Sequence, residues 1–175
     1  AALFPDTPSQ RQPYVDAQTS NLCSKMGIFL AECGLLEGAA RLQERALDID
    51  HSLHNNMSRR VAESTIALAR TRHAQGRPED SLHFLYLAYG ILKQLAKPEH
   101  GEDKGALFDS AGVLVAIAKV ARDTTGGLSQ AKSMMGHALR IYKQALGEKH
   151  PEVAGVLNAM AVICVELAHQ SGEKV

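Results

Sequence analysis

The chain repeats itself. The set Gly34, Leu36, Glu37, Ala39, Leu42, Ala46, Leu47 and Ile49 recurs 42 residues later as Gly76, Pro78, Glu79, Ser81, Phe84, Ala88, Tyr89 and Ile91. A third copy (Gly126, Leu128, Ala131, Met134, Ala138, Leu139, Ile141) follows after a further 50. The added residues fall mainly in a charged linker, Pro98–Gly105. Upstream of each glycine runs a second pattern, Met26-Gly27, Leu68-Ala69 and Ile117-Ala118, with Met160-Ala161 as a fourth copy. A unit repeated at this period cannot bury its own apolar face, so the units must stack on one another.

Each unit reads as a pair of helices. Apolar residues recur at helical spacing, as in Met26, Leu30 and Cys33 or Leu139, Tyr142 and Leu146. The predicted helices are Val15–Cys33, Leu35–Ile49, Met57–Gln75, Pro78–Leu95, Lys104–Arg122, Leu128–Leu146 and Pro151–His169. Pro78, followed by Glu79 and Asp80, is a helix start: its fixed φ suits the first turn, and the acids suit the helix dipole. The Val-rich stretch Gly112–Val120 could form a strand, but Ala111, Ala116, Ala118 and Ala121 favour helix. Pro5, Pro8 and Pro13 mark residues 1–14 as an extended Pro-rich leader. Residues 15–175 then form one helical-repeat domain, with pairs at 15–50, 57–95 and 104–146 and a final helix at 151–170.

Composition agrees. Aromatic residues make up 5% and Trp is absent, so Leu, Ala, Val, Ile and Met must build the core. That suits helix packing better than a β-sandwich. Small residues at Gly27, Ala69, Ala118 and Ala161 let each first helix approach its neighbour. Ala39, Ser81 and Ala131, with Ala46, Ala88 and Ala138, do the same on the second helices. Basic and acidic groups balance at 19 each, which argues against a nucleic-acid binder. No uninterrupted apolar run reaches membrane-spanning length, so no direct membrane span is expected. Cys23, Cys33 and Cys164, an odd set without paired spacing, read as buried reduced thiols inside the cell.

These residues resemble the tetratricopeptide repeat (TPR) family, from Asp16 to about Ala168. The 42-residue period is similar to that of the kinesin-light-chain type. So is the run Ala138-Leu139-Arg140-Ile141-Tyr142, then Leu146-Gly147-Glu148-Lys149-His150-Pro151-Glu152-Val153-Ala154 and Leu157-Asn158. Cys23 and Thr65 stand where a large apolar residue is usual. The resemblance implies an all-α, right-handed TPR-like α-solenoid of seven antiparallel helices, or three and a half pairs. It implies a concave groove that binds proteins and performs no chemistry, with no cofactor.

By that resemblance the groove is lined by Lys25, Ile28, Glu63, Ile66, Arg70, His73, Lys119, Arg122 and Asn158. TPR domains that clamp chaperone tails use a Lys and an Asn where Ser24 and Ile28 stand here, which argues against that ligand. Of the groove asparagines of kinesin light chains, only Asn158 is matched; Ser24, Ile66 and Val115 fill the other places. Charge is uneven along the chain. Residues 1–50 hold 4 basic and 7 acidic groups, residues 51–105 hold 8 and 6, and residues 106–175 hold 7 and 6. Cations facing a shared cleft favour an acidic or extended partner segment.

Other chemistry finds little support. His51 and His54 are the only close histidine pair, and a helix C-terminus explains them without a metal. His150, before Pro151, reads as structural. No nucleophile elbow or phosphate-binding glycine loop is present; Gly126-Gly127 reads as a turn. Asp48, Asp50, Glu79 and Asp80 read as helix-terminal or solvated, and Met134 and Met135 as core.

The chain reads as a non-enzymatic interaction module or adaptor that binds a protein partner in the concave groove. The alternative is a structural accessory subunit of a hetero-oligomeric complex; an unrecognised enzyme is the remote reading. The location is intracellular and cytoplasmic, or mitochondrial or otherwise organellar after loss of a targeting peptide. A stacked array normally ends in a polar helix, whereas the last helix here is apolar on more than one face. Its outer face, assigned to Val156, Met160 and Ile163, is therefore expected to be covered by a partner chain, a second copy or an unusual cap.

Overall fold

The computed structural model describes residues 8–97 and 104–172. Among the described residues there are seven α-helices and no strand. They are α1 (Pro8–Glu32), α2 (Leu36–Leu53), α3 (Arg59–Ala74), α4 (Pro78–Leu95), α5 (Lys104–Arg122), α6 (Leu128–Leu146) and α7 (Pro151–Ser171). Each helix packs on the next in sequence, and the first helix α3 also touches α1 on one side and α5 on the other. This is the nearest-neighbour stacking of an α-solenoid.

The repeat has a local cause at its turns. Gly34, Gly76 and Gly126 adopt φ of 79°, 74° and 75°, a left-handed conformation that costs glycine nothing. In the first two pairs the turn closes in the same way. Leu35 N–H donates to the Leu30 carbonyl at 2.9 Å, and Arg77 N–H to the Arg72 carbonyl at 3.0 Å. These bonds satisfy helix-end carbonyls that would otherwise lack partners. Pro78 opens α4, and Pro151 opens α7 behind a His150 cap whose Nδ1 accepts from Glu152 N–H at 3.2 Å.

Small residues set the helix spacing. A Cβ on Gly27 would lie 2.7 Å from Gln43 Cγ and 3.2 Å from the Ala39 carbonyl, so α1 and α2 meet backbone to backbone there. Ala69 and Ala118, at the same register, are fully buried. From Ala62 to Ile163 a continuous apolar core runs through α3 to α7. The first pair differs. Gln43 and Asp50 of α2 stand where α4 has Leu85 and Leu92 and α6 has Met135 and Tyr142.

Several expectations need correction. α1 is helical from Pro8, so only residues 1–7 of the expected leader lie outside the described residues. Pro8 can open a helix because its fixed φ is already helical. α5 begins at Lys104 as expected, and residues 98–103 of the expected linker Pro98–Gly105 lie outside the described residues. Asp50 is not helix-terminal or solvated; it is 1% exposed within a helix that continues to Leu53. Cys23 is buried, but Cys33 and Cys164 are exposed. α7 is long and apolar enough to cross a membrane by length and composition alone, since Glu152 and Glu166 are its only acidic residues and it has no Lys or Arg. Finally, Val156 and Ile163 are 4% and 0% exposed. With Met160 they form the inner face of α7, against the core, not the outer one. The exposed side carries Ala154, Leu157, Ala161 and Cys164.

Candidate functional site

α1, α3 and α5 lie side by side and together wall one groove. Ile28 and Ala31 of α1, Ile66 and Ala67 of α3, and Phe108 and Ala116 of α5 line a groove of about 740 Å³. Alanines and Gly112 along its walls widen it by withholding side-chain volume. Gln43 and Leu92 reach it from the second helices. The Gln43 Oε1 is buried without a hydrogen-bond partner. A buried polar atom in that state carries a desolvation cost that a ligand donor would relieve.

A smaller cavity of about 360 Å³ adjoins it between α3 and α5. Arg70, His73, Val115 and Lys119 line it, with Leu85 and Ser81 from α4. The Ser81 hydroxyl is likewise buried and unpartnered.

The charges around the groove are mostly spent on one another. Arg59 pairs with Asp109 across to α5, and with Glu63 on its own helix. Arg60 Nε lies 3.4 Å from the Asp50 carboxylate. His73 Nε2 lies 2.6 Å from Asp123 Oδ2, and Arg122 holds Glu166 of α7 through two bonds of 3.1 and 2.8 Å. Arg70 and Lys119 are different. Both are exposed, and among the described residues neither has an ion-pair partner. They stand 49 residues apart, the same interval that separates Ala69 from Ala118, so they occupy equivalent places on neighbouring helices.

The structure therefore gathers part of the predicted set. Ile28, Glu63, Ile66 and Arg70 line the main groove, and Arg70, His73 and Lys119 line the adjoining cavity. Lys25 and Asn158 are exposed but line neither. Arg122 is engaged by Glu166. Reasoning from sequence missed Gln43, Arg60, Phe108 and Asp109. Only the repeat register could have signalled Gln43, a polar residue where the other copies carry Leu85 and Met135.

Phe108 packs against Tyr142 of α6 at the edge of the groove, with ring centroids 5.2 Å apart and planes tilted by 57°. Burial raises the Tyr142 phenol above its usual 10.0, and the nearby acids Glu152 and Asp109 raise it further. The phenol thus stays neutral and packs as an aromatic wall.

Compared with known families, residues 123–152 match the model described as tetratricopeptide repeat. The match runs from the turn after α5, through α6, to the first turn of α7, where the repeat is best preserved. No curated protein matches the chain at a significant level. Among solved structures, a putative kinesin light chain from Podosopora anserina with nearly identical TPR-like repeats is similar over 90% of both chains. Its identity is 15% and its TM-score 0.47. A variant of that protein covers the same shares at the same identity, with a TM-score of 0.48.

Proposed function

We propose that the chain, whose stretch from Asp123 to Glu152 matches a tetratricopeptide repeat model within a solenoid of helix pairs, is a non-catalytic adaptor that holds an extended, acidic partner segment in its groove. One observation carries this reading. In a groove whose other cations are already paired, Arg70 and Lys119 remain free and face the same cavity. A carboxylate placed between them would gain two charge-assisted contacts without breaking an existing pair. The apolar walls at Ile28, Ile66 and Phe108 would bury the uncharged side chains of the segment. The exposed free thiols Cys33 and Cys164 suit a reducing, intracellular location.

The test is an array of extended peptides that differ only in acidic content, probed with the full chain and with Arg70→Glu/Lys119→Glu. Acidic peptides should be retained by the native chain, and binding should weaken as salt rises. The double variant should lose them by about tenfold or more, the effect of replacing two attractive contacts by two repulsive ones. Its circular dichroism should stay helical, since both side chains are exposed. Equal retention by both proteins would remove the basis for the reading.

A further inference from the structure

The first helices share a register that gives one stripe of α7 an unusual position. Ala154, Leu157, Ala161 and Cys164 lie 43 residues after Ala111, Leu114, Ala118 and Ala121 of α5. In α5 these positions are sealed in the core beside α6, with Leu114 1% exposed and the three alanines 0%. In α3 the first three equivalents, Ala62, Thr65 and Ala69, are buried, and in α1 so are Ser20, Cys23 and Gly27; the fourth, Arg72 and Leu30, are half-buried. In α7 all four are exposed, Leu157 by 46%. The chemistry of the stripe is nearly that of α5, but among the described residues no helix covers it.

We propose that this stripe docks one amphipathic helix of a partner, built like the second helices of this chain. The chain itself states what such a helix carries. α4 buries Ser81, Leu85, Ala88 and Leu92, and α6 buries Ala131, Met135, Ala138 and Tyr142. The shared pattern is small, large, small, large, at intervals of four, three and four residues. The small residues bring the two backbones together over Ala154 and Ala161, and the large ones fill the steps between.

Two other occupants fit less well. A second copy would offer its exposed α1 stripe, Leu22, Met26 and Phe29, which is large at every turn and lacks the alternation. A lipid surface would not select for small residues at helix-packing spacing, and the inner face of α7 is already fixed by Val153, Val156, Ile163 and the Glu166–Arg122 pair. The proposal is independent of the groove.

The probe is a labelled peptide with the sequence of α6, residues 128–146. It is held helical by a lactam between positions 133 and 137, both exposed in α6. Titrated with the full chain, it should bind saturably. Binding should weaken by at least about tenfold with Ala161→Arg in the chain, and equally with an arginine at position 138 of the peptide. Ala161 is exposed, so the variant should keep its helicity and unfolding midpoint. Four outcomes would overturn the proposal. The peptide does not bind; Ala161→Arg leaves binding unchanged; the chain self-associates through this face in sedimentation, reversed by Ala161→Arg; or phosphatidylcholine vesicles bind the chain and Ala161→Arg abolishes that binding.

Discussion

Asp50 shows how one residue can change the character of a repeat. Its carboxylate accepts from Ser20 Oγ of α1 at 2.5 Å and from Ser64 Oγ of α3, and it pairs with Arg60. Three helices thus meet on one buried acid, at a position where the later pairs pack Leu92 and Tyr142. Removing it would leave two buried hydroxyls without a strong acceptor and Arg60 without its buried partner. Asp50→Ala should therefore cost about 3 kcal/mol, read from the shift in urea unfolding midpoint at constant slope. A change below about 0.5 kcal/mol, the usual range for a surface site, would show that the network contributes nothing. The sequence alone presented Asp50 only as an acid near a helix end. Its partners lie 30 and 14 residues away, and no local pattern announces them.

At the scale of helices, most of the architecture was legible. α4, α5 and α6 begin and end at the expected residues because glycine and proline mark their ends. The start of α1 was not legible: Pro8 suits an opening turn, but Pro13 lies five residues further in, where a proline removes a helix hydrogen bond and argues locally against the helix that forms. The face of α7 was misassigned for a different reason. A helix apolar all round gives periodicity no preferred side, and only packing decides that Ile163 points inward and Leu157 outward. In the groove, the register of the first helices was readable, and it located Arg70 and Lys119. Which basic side chains already hold an acidic partner was not, because Asp123 and Glu166 act across helix pairs.

Tyr142 offers a test at this scale. Its pKa is raised in the fold, so the folded state favours the neutral phenol. That contribution is complete below the unfolded value near pH 10 and is lost as pH rises through the folded value. The native chain should lose stability in this alkaline window more steeply than Tyr142→Phe, while the two curves run parallel at neutral pH. Thermal unfolding across the alkaline range measures this. Parallel curves throughout would show that the phenolate is tolerated.

For the whole molecule, the joints between repeats matter more than the repeats. From α3 to α7 the core is continuous and apolar. The joint between the first pair and the second is largely polar: Asp50 with Ser20, Ser64 and Arg60, then Arg72 with Glu44, and Gln75 Nε2 donating to Glu37 at 2.8 Å. In a nearest-neighbour stack, stability is a sum of unit and joint contributions. A joint held by polar contacts is weaker than one burying leucines, because each neutral contact gives only about 1 kcal/mol net and a buried charge offsets much of its pairing by desolvation. The first pair should therefore open before the rest. Amide exchange followed over rising urea should show α1 and α2 losing protection as one unit, while α4 and the middle of α5 hold out to the global transition. Asp50→Ala should widen the gap between the two transitions, since it weakens the joint and leaves the downstream core untouched. A single transition shared by all helices, before and after that substitution, would mean that the polar joint transmits cooperativity as well as the apolar ones do.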